Sequence, residues 1–256
     1  LSTVSHELRT PMANIKMAAQ MLEVILFNTT AVNSSTHLAT PDPALQKALR
    51  YFQILKDECQ REINLINDLL DLSRVETGAD IPTLVSLDLR NWLPQLVAPF
   101  IERARSQQQQ LVVDVSHLPA IVTDSARLER ILGELLNNAC KYTPAGETIT
   151  VSAQLRSLNS SSAAPVFEIA VCNSGVEISP EELTRIFDKF YRVPNNDPWK
   201  HGGTGLGLAL VKKLLEPIHG TIRATSDTGK TCFVMQLPFL GAEKLELPNA
   251  LDRRHV

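Results

Sequence analysis

A cluster of glycines marks the part of the chain best suited to hold a phosphate. Four of the eleven glycines lie between Gly202 and Gly207, directly before an apolar stripe with helical spacing. Glycine lets the backbone approach a ligand closely, and the free N–H groups of a helix N-terminus attract phosphate. The G-x-G-x-G spacing, with no preceding strand and no following G-K-S/T, argues against a dinucleotide fingerprint and a Walker loop. The sequence therefore predicts a phosphate-binding turn, with a flexible hinge as the alternative.

A second candidate is the polar face of a predicted helix from about Asp124 to Tyr142. Glu134, Asn138 and Lys141 occur there at i, i+4 and i+7, opposite the apolar residues of the same segment. Carboxylate and carboxamide oxygens suit magnesium, and an ammonium group suits phosphate. The pattern favours a magnesium–triphosphate site, although an ordinary solvated face produces the same spacing.

The third candidate is His6, which lies about 200° around its predicted helix from both Val4 and Leu8 and so points away from the apolar stripe. Glu7 adjoins it, and Pro11 cannot donate a hydrogen bond to the carbonyl of Glu7, so we expect a kink near the histidine. An exposed imidazole beside a carboxylate is a candidate nucleophile, because the carboxylate can accept a proton and orient the ring. An exposed histidine without a function is the alternative.

Two long amphipathic helices would position this histidine. Apolar residues recur with helical spacing from about Ser2 to Phe27 and again from about Ala44 to Val75. The segment Asn28–Pro43 between them is rich in Ser, Thr, Asn and Pro and predicts a mobile tip. A hairpin with one apolar seam favours pairing with a second copy into a four-helix bundle. Packing against the rest of the same chain is the alternative.

The remainder of the chain mixes helices and strands. We predict helices at about Leu89–Arg105, Asp124–Tyr142, Glu181–Phe187 and Gly205–Glu216, and strands at about Leu111–Val115, Thr148–Leu155, Val166–Cys172, Thr221–Ser226 and Thr231–Leu237. This order favours an α/β sandwich with helices on one face of a mixed sheet. The predicted fold class is α+β, with an N-terminal helical hairpin forming a dimeric four-helix bundle and then an α/β sandwich.

Composition excludes several other classes. Apolar residues make up 44% and charged residues 21%, which argues against wholesale disorder. The 25 basic and 28 acidic residues give a net charge of −3, so nothing favours binding to nucleic acid or an anionic membrane. The four cysteines are far apart and indicate buried hydrophobic residues in a reducing compartment, not a disulfide frame or a zinc site: Cys59, Cys140, Cys172 and Cys232.

We also expect a soluble piece of a longer protein. No apolar run reaches the roughly 18 residues of a membrane span. Glu7 and Pro11 interrupt the N-terminus, which argues against a signal peptide, and the first residue is a leucine.

Four segments occur in an order that resembles the sensor histidine kinases. Ser5–Pro11 (SHELRTP) matches the H-box of that family, and Leu135–Thr143 (LLNNACKYT) resembles the N-box. Ile186–Arg192 (IFDKFYR) resembles the F-box, and Gly203–Leu208 (GTGLGL) the second glycine box. The resemblance covers most of the chain. It implies a dimerisation and histidine-phosphotransfer hairpin followed by an ATP-binding domain of the gyrase and heat-shock-chaperone type.

The resemblance also implies roles for individual residues. His6 would be the phosphoacceptor, Glu7 its general base, and Thr10 the residue that positions water when a phosphorylated response regulator is dephosphorylated. ATP and Mg²⁺ would bind in the second domain, where Asn138 would hold the metal. The other nucleotide contacts implied are Lys141, Tyr142, Asn173, Gly175, Arg192, Gly203, Thr204, Gly205, Leu206 and Gly207.

A lid would cover this nucleotide. The resemblance implies that the lid spans Tyr191–His201 and that Phe187 and Phe190 anchor it.

Three residues depart from the family pattern. The first glycine box usually reads D-x-G-x-G-I, with the aspartate reading the adenine amino group, and here Asn173 and Glu177 replace its aspartate and second glycine. Asn173 is a neutral hydrogen-bond acceptor, and Glu177 adds a negative charge. We therefore predict reduced or altered nucleotide affinity. Glu134 stands where the N-box commonly has asparagine, and we hypothesise that it ligates the metal or supports slow ATP hydrolysis. The alternative is that Glu134 only forms hydrogen bonds within the site.

The sequence therefore predicts a cytoplasmic, homodimeric autokinase that passes a phosphoryl group from its histidine to a response regulator. The predicted domains are a hairpin at 1–78, a linker at 79–85, an ATP-binding domain at 86–240 and a tail at 241–256. Three alternatives stay open: a degenerate kinase acting as scaffold or phosphatase, a gyrase- or chaperone-type ATPase, and a non-enzymatic coiled-coil adaptor.

Overall fold

The computed structural model describes residues 13, 15–17, 19–20, 23–24, 43–78, 81–116, 118–156, 165–193 and 204–239. The chain divides into two compact units, Leu1–Arg74 and Val75–Val256. No helix of the described part is long and apolar enough to cross a membrane.

The first unit is helical wherever it is described. Residues 13, 15–17, 19–20 and 23–24 are helical, and helix α1 spans Pro43–Glu76. The predicted second helix at Ala44–Val75 is thus confirmed, whereas the tip Asn28–Pro43 lies almost wholly outside the described residues. The two helical stretches are joined by a salt bridge of 3.1 Å between Lys56 Nζ and Glu23 Oε2. Several apolar side chains remain exposed in this unit: Ile15, Met17, Val24, Ile54, Leu55 and Leu69.

The second unit contains a mixed arrangement of short elements in the order that the sequence predicts. Its helices are α2 (Leu89–Ser106), α3 (Ser125–Tyr142), α4 (Pro180–Leu183) and α5 (Gly207–Leu215), which a 3-10 turn at Glu216–Ile218 follows. Its strands are β1 (Leu84–Leu87), β2 (Gln110–Val115), β3 (Ile121–Asp124), β4 (Thr148–Arg156), β5 (Val166–Ser174), β6 (Thr221–Asp227) and β7 (Lys230–Pro238).

Five strands form the main sheet in the order β2-β4-β5-β7-β6. The β2–β4 pair is parallel, and the other three pairs are antiparallel. Residues facing one side, such as Ile149, Val151, Phe167 and Ile169, are fully buried. Because α2 contacts β2, α3 contacts β5 and α5 contacts β6, the helices cover this side. The predicted fold class, a helical region followed by an α/β domain, is confirmed, and the dimeric bundle stays a prediction.

Local sequence explains the main helices of this unit. Asp88 caps α2 by accepting a hydrogen bond from Arg90 N (3.0 Å), and Asp124 caps α3 by accepting one from Arg127 N (3.0 Å). The apolar stripe of α3 is completely buried: Leu128, Ile131, Leu132, Leu135 and Leu136.

One prediction about this unit was wrong, and two of its strands were missed. The predicted helix Glu181–Phe187 ends at Leu183 and continues as turns. Strands β1 and β3, which pair with each other, were not predicted at all. Each has only four residues, and a run this short carries almost no period-two signal.

The reading of all four cysteines as free thiols is also wrong. Cys172 and Cys232 lie directly opposite each other on β5 and β7 and form a disulfide. The 60 residues that separate them in sequence hide this proximity. Cys59 and Cys140 are free and buried, as predicted. Burial raises the pKa of the Cys140 thiol, which keeps it protonated and unreactive near neutral pH.

Candidate functional site

The polar face of α3 is held in place by hydrogen bonds at the carboxyl end of the helix. Gln109 Nε2 donates to the carbonyl oxygens of Cys140 (3.0 Å) and Thr143 (2.5 Å) and so holds the last turn of the helix. Asn138 is half-buried, and its carboxamide makes no hydrogen bond to any other described residue. Lys141 Nζ lies 4.7 Å from the centroid of the Tyr142 ring. This face therefore offers one uncommitted amide and one ammonium group.

A sharp turn follows β5 at the first glycine box. Asn173, the last residue but one of the strand, is only 4% exposed, and its carboxamide makes no hydrogen bond within the described part of the chain. Gly175 has φ +74°, and a Cβ on it would lie 2.6 Å from Cγ of Glu147. Both facts require glycine at this position. Ser174 Oγ donates to the Glu147 carboxylate at 2.5 Å and accepts from Thr148 N at 2.9 Å, which ties the turn to β4.

The next residues are held against β6 and β7. Thr231 Oγ1 donates to the carbonyl of Val176 (2.9 Å), and Ile178 N donates to Ser226 Oγ (2.8 Å). Between these two contacts, Glu177 is exposed. Because the side chain is exposed, its charge is solvated.

The F-box segment and the glycine-rich turn are in direct backbone contact. Phe190 N donates to the carbonyl of Gly205 (2.9 Å), and a Cβ on Gly205, which has φ +72°, would lie 2.7 Å from the carbonyl carbon of Phe190. Phe190 comes just before the segment expected to form the lid, and Gly205 comes after it, so these contacts join the residues on either side of that segment.

The two predicted aromatic anchors of the lid behave differently. Phe187 packs edge-on against Phe233, with ring centroids 6.5 Å apart. Phe190 is 62% exposed with φ 65°, so its ring does not pack into the core of the described residues. Most of the lid that it is expected to anchor lies outside those residues, and its role there stays a prediction.

Two charged groups flank the start of the predicted lid. Tyr191 donates its hydroxyl hydrogen to the Glu182 carboxylate, and this bond raises the pKa of Tyr191 above its ordinary value. The Arg185 guanidinium lies 4.1 Å from the centroid of the Tyr191 ring. Arg192 follows and is half-buried.

The second glycine box leads directly into α5. Leu206 is fully buried, and its N–H donates to Thr204 Oγ1 at 3.3 Å. Helix α5 begins at Gly207, and its cap residue Leu206 provides no side-chain hydrogen bond. The free N–H groups of the first turn therefore lack the usual cap. Glu134, from α3, places one carboxylate oxygen against Gly207 and bonds the other to Arg130 at 3.0 Å.

The structure places most of the predicted site residues but not all of them. His6, Glu7, Thr10 and Gly203 lie outside the described residues. Glu134 meets the glycine-rich turn at Gly207, and Gly205 meets Phe190. Nowhere in the described ranges do three or more His, Cys, Asp or Glu side chains gather in a way that could hold a metal ion. A metal here would depend on Asn138 and on oxygens from a ligand.

Sequence reasoning missed three residues that support this site. Gln109 holds the end of α3, Glu147 packs under Gly175, and Arg130 binds Glu134. Only Arg130 carried a signal, because its i,i+4 spacing from Glu134 favours an ion pair on a helix. The partners of Gln109 and Glu147 lie roughly 30 residues away in sequence, and only the fold reveals them.

Two known families match the chain. Residues 1–78 match the His Kinase A (phospho-acceptor) domain, and residues 123–241 match the family described as histidine kinase-, DNA gyrase B-, and HSP90-like ATPase. Similar proteins include the probable sensor kinase SilS of Salmonella typhimurium, which is 30% identical over 93% of this chain and 44% of SilS. The sensor histidine kinase CusS of Escherichia coli K12 is 31% identical over 92% of this chain and 44% of CusS. The chain therefore spans less than half the length of either relative.

A solved structure is also similar to most of the chain. The crystal structure of full-length ShkA in complex with AMPPNP matches with a TM-score of 0.70 and 26% identity, over 94% of this chain and 46% of that one.

Proposed function

The chain belongs to the sensor histidine kinases, as their catalytic core, and we propose that it is an ATP-dependent autokinase. Its phosphohistidine would donate the phosphoryl group to an aspartate of a response regulator. One observation carries the proposal: a phosphoacceptor match over residues 1–78 and an ATPase-type match over residues 123–241 occur together in one chain. An ATPase or an adaptor alone would not account for the first match and the second at once.

The nucleotide would lie between the polar face of α3, the turn after β5 and the glycine-rich turn. The buried Asn173 carboxamide, with no intrachain partner in the described ranges, suits a ligand with hydrogen-bonding groups. The phosphates would lie against residues 203–207, where the first turn of α5 offers free N–H groups. Lys141, Tyr142 and Arg192 would complete the contacts with positive charge and a ring.

Magnesium fits this site through a single protein ligand. The Asn138 carboxamide is uncommitted within the described residues, and its oxygen is of the type that Mg²⁺ prefers. When bound, Mg²⁺ supplies charge neutralisation for the phosphates.

The chemistry proposed for the chain itself centres on His6. Its ring nitrogen attacks the γ-phosphorus in line, the bond from that phosphorus to the leaving ADP oxygen breaks, and Glu7 accepts the ring proton. The phosphoryl group then passes from the nitrogen to a carboxylate oxygen of the receiver aspartate. Positioning and charge neutralisation provide most of the catalysis in such transfers. Thr10, one helical turn after His6, would position water for dephosphorylation of the regulator.

We also propose that the active form is a homodimer in the cytoplasm, where ATP and response regulators are found. The exposed apolar side chains of the first unit, including Ile54, Leu55 and Leu69, supply surface that a second copy would bury. The hairpin at 1–78, the linker at 79–85, the ATP-binding domain at 86–240 and the tail at 241–256 remain our proposed division.

The departures in the first glycine box bear on affinity. Asn173 is buried and Glu177 is exposed, so we expect Asn173→Asp to change nucleotide affinity and Glu177→Gly to have little effect. Equilibrium titration of both variants with ATP tests this. No change in the Asn173 variant would remove that residue from the site.

Labelled ATP tests the function itself. The purified chain should acquire acid-labile, base-stable label that His6→Ala and Asn138→Ala each abolish. A mixture of these two variants regains label only if one protomer phosphorylates the other. Label that persists in His6→Ala contradicts His6 as the phosphoacceptor. No label with intact nucleotide binding contradicts the autokinase; it favours an ATPase if phosphate is released and a degenerate kinase if it is not. Steady phosphate release that survives both His6→Ala and Glu134→Gln would argue against Glu134 as a hydrolytic base.

A further inference from the structure

The carboxylate of Glu134 joins two elements of the site. Its Oε1 lies 3.0 Å from Nη1 of Arg130, one turn earlier on α3. Its Oε2 lies 2.6 Å from the point that a Cβ on Gly207 would occupy. The side chain is 16% exposed, so neither oxygen is simply solvated. The carboxylate is thus held between α3 and the first residue of α5.

The amino end of α5 is where a negative charge is most useful. The cap residue Leu206 gives no side-chain hydrogen bond. The first N–H groups of a helix have no partner inside it, and they carry a partial positive charge that a carboxylate stabilises.

We propose that Glu134 is a positioning residue: fixed by Arg130, it holds the amino end of α5, and with it the Gly205–Gly207 turn, in the geometry that receives phosphate. The phosphate seat itself rests on the proposed function. This role differs from that of a metal ligand or a hydrolytic base. A carboxylate oxygen already bound to a guanidinium is less available to a cation or a proton.

Gly207 reports directly on this contact. Apart from its chain neighbours and the backbone of its own helix, the only described atoms less than 4 Å from a Cβ at position 207 belong to Glu134, and no positive φ restricts the residue. Gly207→Ala must therefore displace the Glu134 carboxylate. In a chain that also carries Glu134→Ala, the new methyl group no longer meets the side chain at position 134.

Thermal unfolding of the nucleotide-free chain gives the first test. Gly207→Ala should lower the unfolding midpoint when Glu134 is present. In the Glu134→Ala background the same change should leave the midpoint unchanged or raise it, because alanine is the better helix former. Glu129→Ala, an exposed glutamate on the same helix, is the matched control and should not alter the effect of Gly207→Ala. Equal effects of Gly207→Ala in both backgrounds would overturn the proposal.

Binding of AMPPNP gives the second test. Glu134→Ala and Gly207→Ala should each raise Kd about tenfold, and the double variant should bind no more weakly than either single variant, within about twofold. Glu134→Gln should fall between Glu134→Ala and the unaltered chain, because its amide oxygen still accepts a hydrogen bond. A double variant about a hundredfold weaker would show independent roles and refute the contact.

Chelation separates positioning from metal binding. The Glu134→Ala defect should persist when AMPPNP is titrated in EDTA; a defect that disappears without Mg²⁺ would make Glu134 a metal ligand and overturn the proposal. If the unaltered chain binds no nucleotide, the proposed function fails, while the unfolding measurements still decide the Glu134–Gly207 contact.

Discussion

The two faces of the five-stranded sheet use the same strands for different purposes. The helix-covered face is packed with side chains such as Ile169 and Phe167, and near its end it carries the buried polar residues Asn173 and Thr231. The open face carries the Cys172–Cys232 disulfide and the buried Glu168 carboxylate. Alternation along a strand separates these sets completely. The covered face thus combines the core with the ligand-facing groups, whereas the open face holds strands together by covalent and ionic links.

This difference makes a general prediction. Changes on the open face should alter the free energy of unfolding and leave nucleotide affinity unchanged. Changes on the covered face should cost more for the same number of atoms removed, because cavities there cannot fill with water.

The largest effect is expected for a matched pair of truncations. Ile169→Ala on the covered face, where the side chain is 0% exposed, should lower the free energy of unfolding by about 4 kcal/mol. Val112→Ala on the open face of β2, where the side chain is 38% exposed, should cost less than about 1 kcal/mol. Urea unfolding at equilibrium measures both. Similar losses would show that the open face is covered by something other than solvent.

The disulfide should give the next largest effect. It closes a loop of 60 residues, and its loss through Cys172→Ser with Cys232→Ser should cost about 3 kcal/mol. Adding reductant to the unaltered chain should reproduce that loss and should have no further effect on the double variant. AMPPNP affinity should stay the same, because both cysteines face away from Asn173. A fall in affinity equal to the fall in stability would show that the two faces are coupled.

Glu168 should show that burial determines how much a charged side chain contributes to the free energy of unfolding. Its carboxylate binds Gln154 (2.9 Å), Arg156 (3.0 Å), Gln236 (3.2 Å) and Arg223 (3.4 Å) and is 5% exposed. Glu168→Ala leaves these partners unsatisfied and should cost about 2 kcal/mol. Arg156→Ala and Arg223→Ala remove side chains that are 55% and 58% exposed, so each should cost less than about 1 kcal/mol. Equal losses in chemical unfolding for all three variants would contradict this ranking.

The covered face was largely predictable from sequence, and the open face was not. The stripe of α3 and the alternation in β4 show directly which residues are buried, since each pattern is local. The Asp124 cap, the glycine-rich turn and the positions of the long elements follow from the same local rules.

What sequence could not provide depends on residues far apart in the chain. Cys172 meets Cys232, Glu147 meets Gly175, and Glu134 meets Gly207 only after the sheet and helices assemble. Strands β1 and β3 were missed for a related reason: each is short, and pairing with the other defines both. The polar cluster around Glu168 likewise draws on four strands, β4, β5, β6 and β7.

The smallest effect concerns an ion pair exposed at both ends, which contrasts with the buried Glu168. Glu76 Oε1 lies 2.6 Å from Lys189 Nζ, and this bond, with added attraction from Lys213, lowers the pKa of Glu76 below 4.5. Because the pKa is lowered in the folded state, the pair stabilises the chain above about pH 4.5 and loses that contribution as the pH falls below it. Lys189→Ala should return the pKa of Glu76 toward 4.5, as an NMR titration of its side-chain carboxyl carbon would measure, with little change in stability at neutral pH. Lys230→Ala, another exposed lysine, serves as the control. A large loss of stability at pH 7 from Lys189→Ala alone would contradict this prediction. It would mean that exposure does not determine how much an ion pair contributes to the stability of this chain.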